Sequence, residues 1–302
     1  MLRALTNGSF FCEELTDGVL EGVTAFFGKK SNLLLEKSLH WCYINRQDCI
    51  FNIQEYFNNM ATKWISHRGE SYDAPENTVP AFRLSQERKT DGMECDIYFT
   101  NDGKVVCNHD GDTGRVSGNF IKASVSESSY AGLQMIDVSN GKAGYAGARI
   151  PLFTDTLPYL GPGREYYVEI KKGDLNMAPE LIRIVDNCGI PKEQFVMICF
   201  DDAVVKFYKE LAPERKALLL VGGNPVADAE VVIERLKACN ADGVDIRYSD
   251  NIDEEYVAKV RAAGFSFAVW TVDTPDMARK YVDLKVDAIT SNRAAWLQGM
   301  FR

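Results

Sequence analysis

Met93-Glu94-Cys95-Asp96-Ile97-Tyr98-Phe99-Thr100-Asn101-Asp102-Gly103-Lys104-Val105-Val106-Cys107-Asn108 contains two apolar runs around an Asp-Gly pair. Asp-Gly between such runs is a hairpin signal. Met93–Thr100 and Val105–Asn108 are therefore expected to be antiparallel neighbours. Seven further strand candidates lie at Trp64–Ser66, Tyr166–Ile170, Phe195–Phe200, Ala217–Val221, Gly243–Ile246, Phe265–Val272 and Ala288–Thr290. Amphipathic stretches at Val79–Lys89, Ala178–Cys188, Ala203–Glu210, Ala227–Cys239, Glu254–Ala263 and Pro275–Leu284 separate most of them. Such alternation implies a parallel sheet, here closed into a barrel. A (β/α)8 barrel takes eight strands. Counting Val105–Asn108 as a hairpin return brings the nine candidates to that number. Asn77 or Thr78 is expected to cap the first helix, with Pro80 in its first turn, where a missing N–H costs nothing.

The chain has 302 residues, 46% hydrophobic and 25% charged, with net charge −9. That length suits one barrel plus an extension, and the composition excludes general disorder. The acidic balance argues against a nucleic-acid partner or a polybasic membrane surface. A small anionic substrate stays admissible if a bound cation supplies local positive charge. The eight cysteines (Cys12, Cys42, Cys49, Cys95, Cys107, Cys188, Cys199, Cys239) form no C-x-x-C pair. They are expected to be reduced core residues, with no zinc site. No apolar stretch reaches the roughly 18 residues of a membrane span. Early Glu13, Glu14 and Asp17 argue against a secretory signal, so a cytoplasmic location is expected.

Residues 61–302 form the expected barrel domain. Residues 1–60 carry no catalytic pattern, only patchy helical periodicity over Asp17–Leu39, and His40 there reads as a surface or packing residue. They are an N-terminal extension, or Met60 is the start of the protein; the sequence leaves both open. Gly111–Arg149 is rich in Gly and Ser, with one helical piece near Ser126–Leu133. An insertion of that length is expected to be functional or mobile and to cover one barrel mouth.

Four motifs fall at early strand ends or on the hairpin: Ser66-His67-Arg68-Gly69, Glu94-Cys95-Asp96, Asn108-His109-Asp110 and Glu169-Ile170-Lys171. Catalytic groups of a barrel sit at the C-terminal strand ends. Residues two apart on a strand share a face, so Glu94 goes with Asp96 and Glu169 with Lys171. If those faces point inward, three carboxylates converge and repel unless a cation joins them. All-oxygen ligation favours Mg²⁺ or Ca²⁺. The competing reading is an ion network with Lys and Arg. With the turn centred between Asp102 and Gly103, Asp96 faces His109 across the hairpin. His67 and His109 are the only histidines after Met60, and a pKa near neutrality suits both to proton transfer.

These motifs, with Ala74-Pro75-Glu76-Asn77-Thr78, Thr100-Asn101-Asp102-Gly103, Ile150-Pro151-Leu152 and Trp270-Thr271-Val272, resemble the glycerophosphodiester phosphodiesterase family from about Trp64 to the C-terminus. The resemblance implies a TIM-type barrel hydrolysing glycerophosphodiesters to sn-glycerol 3-phosphate and an alcohol. It implies Glu94, Asp96 and Glu169 as ligands of Mg²⁺ or Ca²⁺, and His67 and His109 as the acid/base pair. It also implies Arg68 and Lys171 on the phosphate and Trp270 beside the glycerol. Trp270 as plain core is the alternative. The family's nucleophile is held to be the substrate's 2-hydroxyl, giving a cyclic phosphate that water opens. Glu76 is expected to orient Arg68 or its loop, or to be simple helix-start acidity.

The chain departs from the family twice. The last strand, often ending Thr-Asp, here continues Thr290-Ser291-Asn292-Arg293, and the usual asparagine after Trp270-Thr271-Val272 is Asp273. Neither departure is expected to touch the metal or the histidines. Two other functions remain open. A lysophospholipase D-like phosphodiesterase could use Phe120, Tyr130, Leu133 and Met135 as an apolar surface. A catalytically silent phosphodiester-binding module would have no need of two histidines.

Overall fold

The computed structural model describes residues 61–302. The extension before them, with His40, Cys12, Cys42 and Cys49, lies outside the described residues. Nine strands follow in order: β1 (Lys63–Ser66), β2 (Gly92–Phe99), β3 (Val105–Cys107), β4 (Glu165–Ile170), β5 (Phe195–Cys199), β6 (Lys216–Val221), β7 (Gly243–Arg247), β8 (Ser266–Trp270) and β9 (Ala288–Ser291). β1 pairs in parallel with both β2 and β9, which closes the sheet. β3 is antiparallel to β2 and lies outside the ring. The result is a closed eight-stranded parallel barrel with one extra strand, as the hairpin argument requires.

Both faces of these strands are buried, so they read as continuous apolar runs. Ile65, Tyr167, Val196, Ile198, Leu218 and Leu220 fill the barrel interior. Alternate residues such as Val168, Met197, Leu219 and Val244 pack outward against the helices. The expected helices form within two residues of their expected ends, and among the described residues Phe153–Thr156 and Ala294–Phe301 are helical as well. Met177–Cys188 presents Leu181, Ile184 and Val185 to the sheet. Burying each such side chain stabilises the fold by about 1.5–3 kcal/mol, and Leu181→Ala would cost about 2–5 kcal/mol through the cavity it leaves.

Three local expectations are corrected. The hairpin register pairs Ile97 with Cys107, and the Asn108 N–H donates to the Asp96 carbonyl at 3.1 Å. Asn108, not His109, therefore lies opposite Asp96. The cause is a three-residue loop. The Thr100 N–H reaches the Lys104 carbonyl at 2.9 Å, and Gly103 takes φ +71°. A left-handed residue closing a turn adds one residue to the loop and moves the register by one.

Nor does Asn77 or Thr78 cap the helix Val79–Glu87 with its side chain. Thr78 precedes it, but its hydroxyl donates to the Pro75 carbonyl, and the Asn77 amide donates to Asp96. Among the described cysteines, Cys95, Cys107, Cys199 and Cys239 are buried and free, whereas Cys188 is exposed. It ends a helix on its solvent side.

The insertion carries its own apolar cluster. Val116, Val125, Leu133, Ile136 and Val138 pack against Tyr98 and Val106 of the hairpin. Its helical piece is the single turn Tyr130–Leu133, capped by Ser129.

Candidate active site

Arg68 and Gly69 both take positive φ, +56° and +76°. A Cβ on Gly69 would meet the Ala81 backbone at 2.5 Å, so glycine is required there. This bend turns the Arg68 N–H onto Glu94 Oε2 at 2.8 Å. The Arg68 guanidinium reaches Glu76 at 2.9 Å and Asp96 Oδ2 at 3.3 Å. Glu76 is thus a partner of Arg68 and not part of a helix start.

Strand parity and pairing do the rest. Asp96 and Glu169 sit side by side across β2 and β4. Glu94, Asp96 and Glu169 bring one oxygen each within 4.8 Å of one another, all three buried. Lys171 lies 2.8 Å from Glu169 and 3.4 Å from Asp96. Burial and the Asp96 charge push Glu169 up to about 8. Burial, then Asp96, also raises Glu94 well above the carboxylate range. Asp96 itself is opposed by burial, yet the charges of Arg68 and Lys171 hold it well below its ordinary value. Three carboxylates this close cannot all ionise without more positive charge than Arg68 and Lys171 supply. Asp96 Oδ1 is buried without a hydrogen-bond partner. An all-oxygen donor set in which Asp96 Oδ1 makes no hydrogen bond and only a 3.4 Å ion pair with Lys171 fits a hard divalent cation. The residues of the ion network and those of the candidate cation site belong to one cluster.

Each histidine is held through Nδ1. His67 Nδ1 lies 2.7 Å from Asn292 Oδ1. Asn292 is oriented by Asp273, which accepts from its amide at 2.6 Å and its backbone N–H at 2.9 Å. The Asn292 nitrogen therefore faces the carboxylate and its oxygen faces His67, so His67 donates from Nδ1 and keeps a lone pair on Nε2. Burial, with the charge of Arg68, lowers His67 to about 4. His109 Nδ1 lies 2.7 Å from Asp110 Oδ1. Burial lowers His109 too, against the pull of Asp96.

His67, Arg68, Glu94, His109, Glu169 and Trp270 line one cavity of about 100 Å³. Asp96 and Lys171 join this group through their ion pairs. The Trp270 indole donates to the Asp245 carbonyl at 3.0 Å and meets Phe200 edge-on at 5.7 Å.

Several members were not legible beforehand. Arg115, from the insertion, grips both carboxylate oxygens of Glu76 at 2.5 and 2.8 Å and donates to Asp110 at 2.7 Å. One side chain thus ties the partner of Arg68 to the partner of His109. Asn77 was the nearest miss. It sits in a motif already singled out, and its amide donates to Asp96 Oδ2 at 2.7 Å.

Residues 67–295 match the glycerophosphoryl diester phosphodiesterase family. The chain belongs to this family. It is similar to the glycerophosphodiester phosphodiesterase of Caldanaerobacter subterraneus subsp. tengcongensis, with 27% identity over 80% of this chain and 99% of that protein. The Bacillus subtilis glycerophosphodiester phosphodiesterase is 23% identical over 76% of this chain and 82% of its own. Among solved structures, an Oleispira antarctica phosphodiesterase in complex with the product sn-glycerol-3-phosphate shares the fold. Its TM-score is 0.71 at 22% identity, over 80% of this chain and 97% of that one.

The side chains of the two positions read as departures, Asp273 and Ser291, reach His67 only through Asn292. Asp273 stands where the family's asparagine is expected, and Ser291 where its aspartate is. The Ser291 hydroxyl donates to Asp273 Oδ1 at 3.0 Å. The Asp273 carboxylate holds Asn292, whose oxygen faces His67. No local pattern reveals this link, because β9 meets β1 only on barrel closure.

Proposed function

We propose that the protein hydrolyses glycerophosphodiesters to sn-glycerol 3-phosphate and an alcohol, with a divalent cation and His67 and His109 as base and acid. The observation that carries this is the cavity itself. Two imidazoles held through Nδ1, three clustered carboxylates and two cations converge where an anionic diester could bind.

Glu94, Asp96 and Glu169 would hold Mg²⁺ or Ca²⁺. Such a cation supplies Lewis-acid polarisation of the phosphoryl group and balances charge in the transition state. Arg68 and Lys171 bind the phosphate oxygens. Both are anchored to carboxylates, so they keep their position while the substrate turns over. His67, donating from Nδ1 to a neutral amide, takes the proton of the attacking 2-hydroxyl at Nε2. His109, whose Nδ1 faces the Asp110 carboxylate, is the better imidazolium and gives a proton to the leaving alcohol. The hydroxyl oxygen bonds to phosphorus as the P–O bond to the alcohol breaks, leaving a cyclic phosphate. Water opens the ring with the two histidines exchanging roles.

The test offers glycerophosphocholine, glycerophosphoethanolamine and lysophosphatidylcholine to the purified full chain with Mg²⁺ or Ca²⁺. Chelator and His67→Ala serve as controls. Turnover of the glycerol diesters, abolished by both controls, supports the reading; turnover of none of the three refutes it. Phe120 and Met135 are 90% and 80% exposed on the insertion, whereas Leu133 is buried. A preference for the lipid would therefore move the substrate to lysophospholipids.

A further inference from the structure

Asp245, on β7, is fully buried, and its Oδ1 has no hydrogen-bond partner. It faces the barrel interior and lines the cavity that holds His67 and His109. Thr290, on β9, lines the same cavity, and its buried hydroxyl is also without a partner. No step above uses either group. Buried polar atoms are nearly always satisfied, and an unpaired one is held at a cost to stability. Two such atoms on residues that line one cavity point to a ligand that completes them.

The surroundings describe that ligand. His67, Arg68, Glu94, His109 and Glu169 make the cavity's ionic part, and Ile198, Phe200, Leu220 and Trp270 its apolar part. The Trp270 indole is pinned by the Asp245 carbonyl. An apolar wall bearing isolated hydrogen-bonding atoms suits the carbon face and hydroxyls of a small polyol. Burial raises Asp245 to about 7, so near neutral pH the carboxyl can accept from a hydroxyl or donate to it.

We propose that Asp245 and Thr290 form a hydroxyl-recognition subsite that binds the terminal hydroxyl of the substrate's glycerol and so selects glycerol diesters over diesters lacking that hydroxyl. This rests on the phosphodiesterase reading for the substrate class, but its residues are separate from the metal and proton-transfer groups. A site built to pair a hydroxyl rejects the analogue without it, because its own polar atoms are then left unpaired.

The test compares glycerophosphocholine with the phosphocholine diester of propane-1,2-diol, which keeps the 2-hydroxyl and lacks the terminal one. Wild-type kcat/KM should favour the glycerol diester by about tenfold or more (about 1.4 kcal/mol per tenfold). Asp245→Ala should bring that ratio toward one, and Thr290→Val should lower it at least about threefold. The melting temperature of Asp245→Ala should hold or rise, because an unpaired buried carboxyl has gone. A ratio of one in the wild type, or the wild-type ratio in both variants, overturns the subsite. So does a lower melting temperature with both substrates slowed equally, since that marks a structural carboxyl. Calorimetric binding of sn-glycerol 3-phosphate and propane-1,2-diol phosphate separates this inference from the reading beneath it. A protein that hydrolyses neither diester, yet prefers glycerol 3-phosphate until Asp245 is removed, keeps the subsite and loses the hydrolase reading. Binding of neither phosphate overturns both.

Discussion

Replacing Asp273 by Asn tests whether a carboxylate that touches neither metal ligand nor cavity controls His67. Asp273 accepts three hydrogen bonds, from the Asn292 amide, the Asn292 backbone N–H and the Ser291 hydroxyl. Asparagine keeps one oxygen and turns an NH₂ toward at least one donor. A hydrogen bond to a charged group is worth about 1.5–3 kcal/mol net. If that loss is felt wholly in the pose of Asn292, and through it in the Nδ1 anchor of His67, kcat falls by about 10- to 150-fold. KM should move far less, because the proposed phosphate contacts are those of Arg68 and Lys171. Unfolding of a domain this size should shift down by about 3–12 °C for the same energy. The decisive variant is Asp273→Asn combined with Ser291→Asp. It moves the carboxylate to position 291, across the same 3.0 Å contact. The carboxylate introduced at position 291 can then accept from the amide NH₂ placed where Oδ1 was, and the carbonyl placed where Oδ2 was stays available to the Asn292 side-chain amide. Steady-state kinetics on glycerophosphocholine should show most of kcat recovered in the double variant. A single variant within twofold of wild type, or a double variant no better than the single, refutes the relay to His67.

Three further outcomes are expected. His109→Ala should lose at least about 10²-fold in kcat, the range for an acid/base group; near-normal turnover removes His109 from the mechanism. Arg115→Ala should lower kcat about three- to tenfold by freeing Glu76 and Asp110 together, and Arg115→Lys should not restore it, because a point charge lacks the bidentate fork. Cation binding should release protons, because Glu169, held up to about 8 by burial and Asp96, must ionise to act as a ligand. Affinity for Mg²⁺ or Ca²⁺ should then rise from pH 6 to about 8 and level off, seen by calorimetry in buffers of different ionisation enthalpy. An affinity independent of pH over that span refutes the coupling.

The carboxylate cluster was legible because it depends on local rules. Parity on β2 places Glu94 with Asp96, and neighbouring parallel strands bring Glu169 alongside. The hairpin was legible in kind but not in register. One left-handed glycine at 103 moved Asn108 into the place expected for His109. Asp245 left a trace in the apolar run Gly243-Val244-Asp245-Ile246, where a carboxylate at an inward position is itself a signal. Arg115 left none, since a Gly- and Ser-rich insertion has no periodicity from which to read a contact.

By itself the sequence determined the alternation of strands and helices, the extra hairpin strand, and the strand face that Glu94 shares with Asp96 and Glu169 with Lys171. Those follow from side-chain period and turn chemistry, which act over a few residues. Only the tertiary structure decided what holds His67. Asn292 lies 225 residues away along the chain and arrives when β9 hydrogen-bonds to β1. Barrel closure is a property of all eight strands together, so no local pattern encodes the neighbours it creates. The same closure set Asp245 and Thr290 around one cavity, with Asp245 Oδ1 and the Thr290 hydroxyl unpaired.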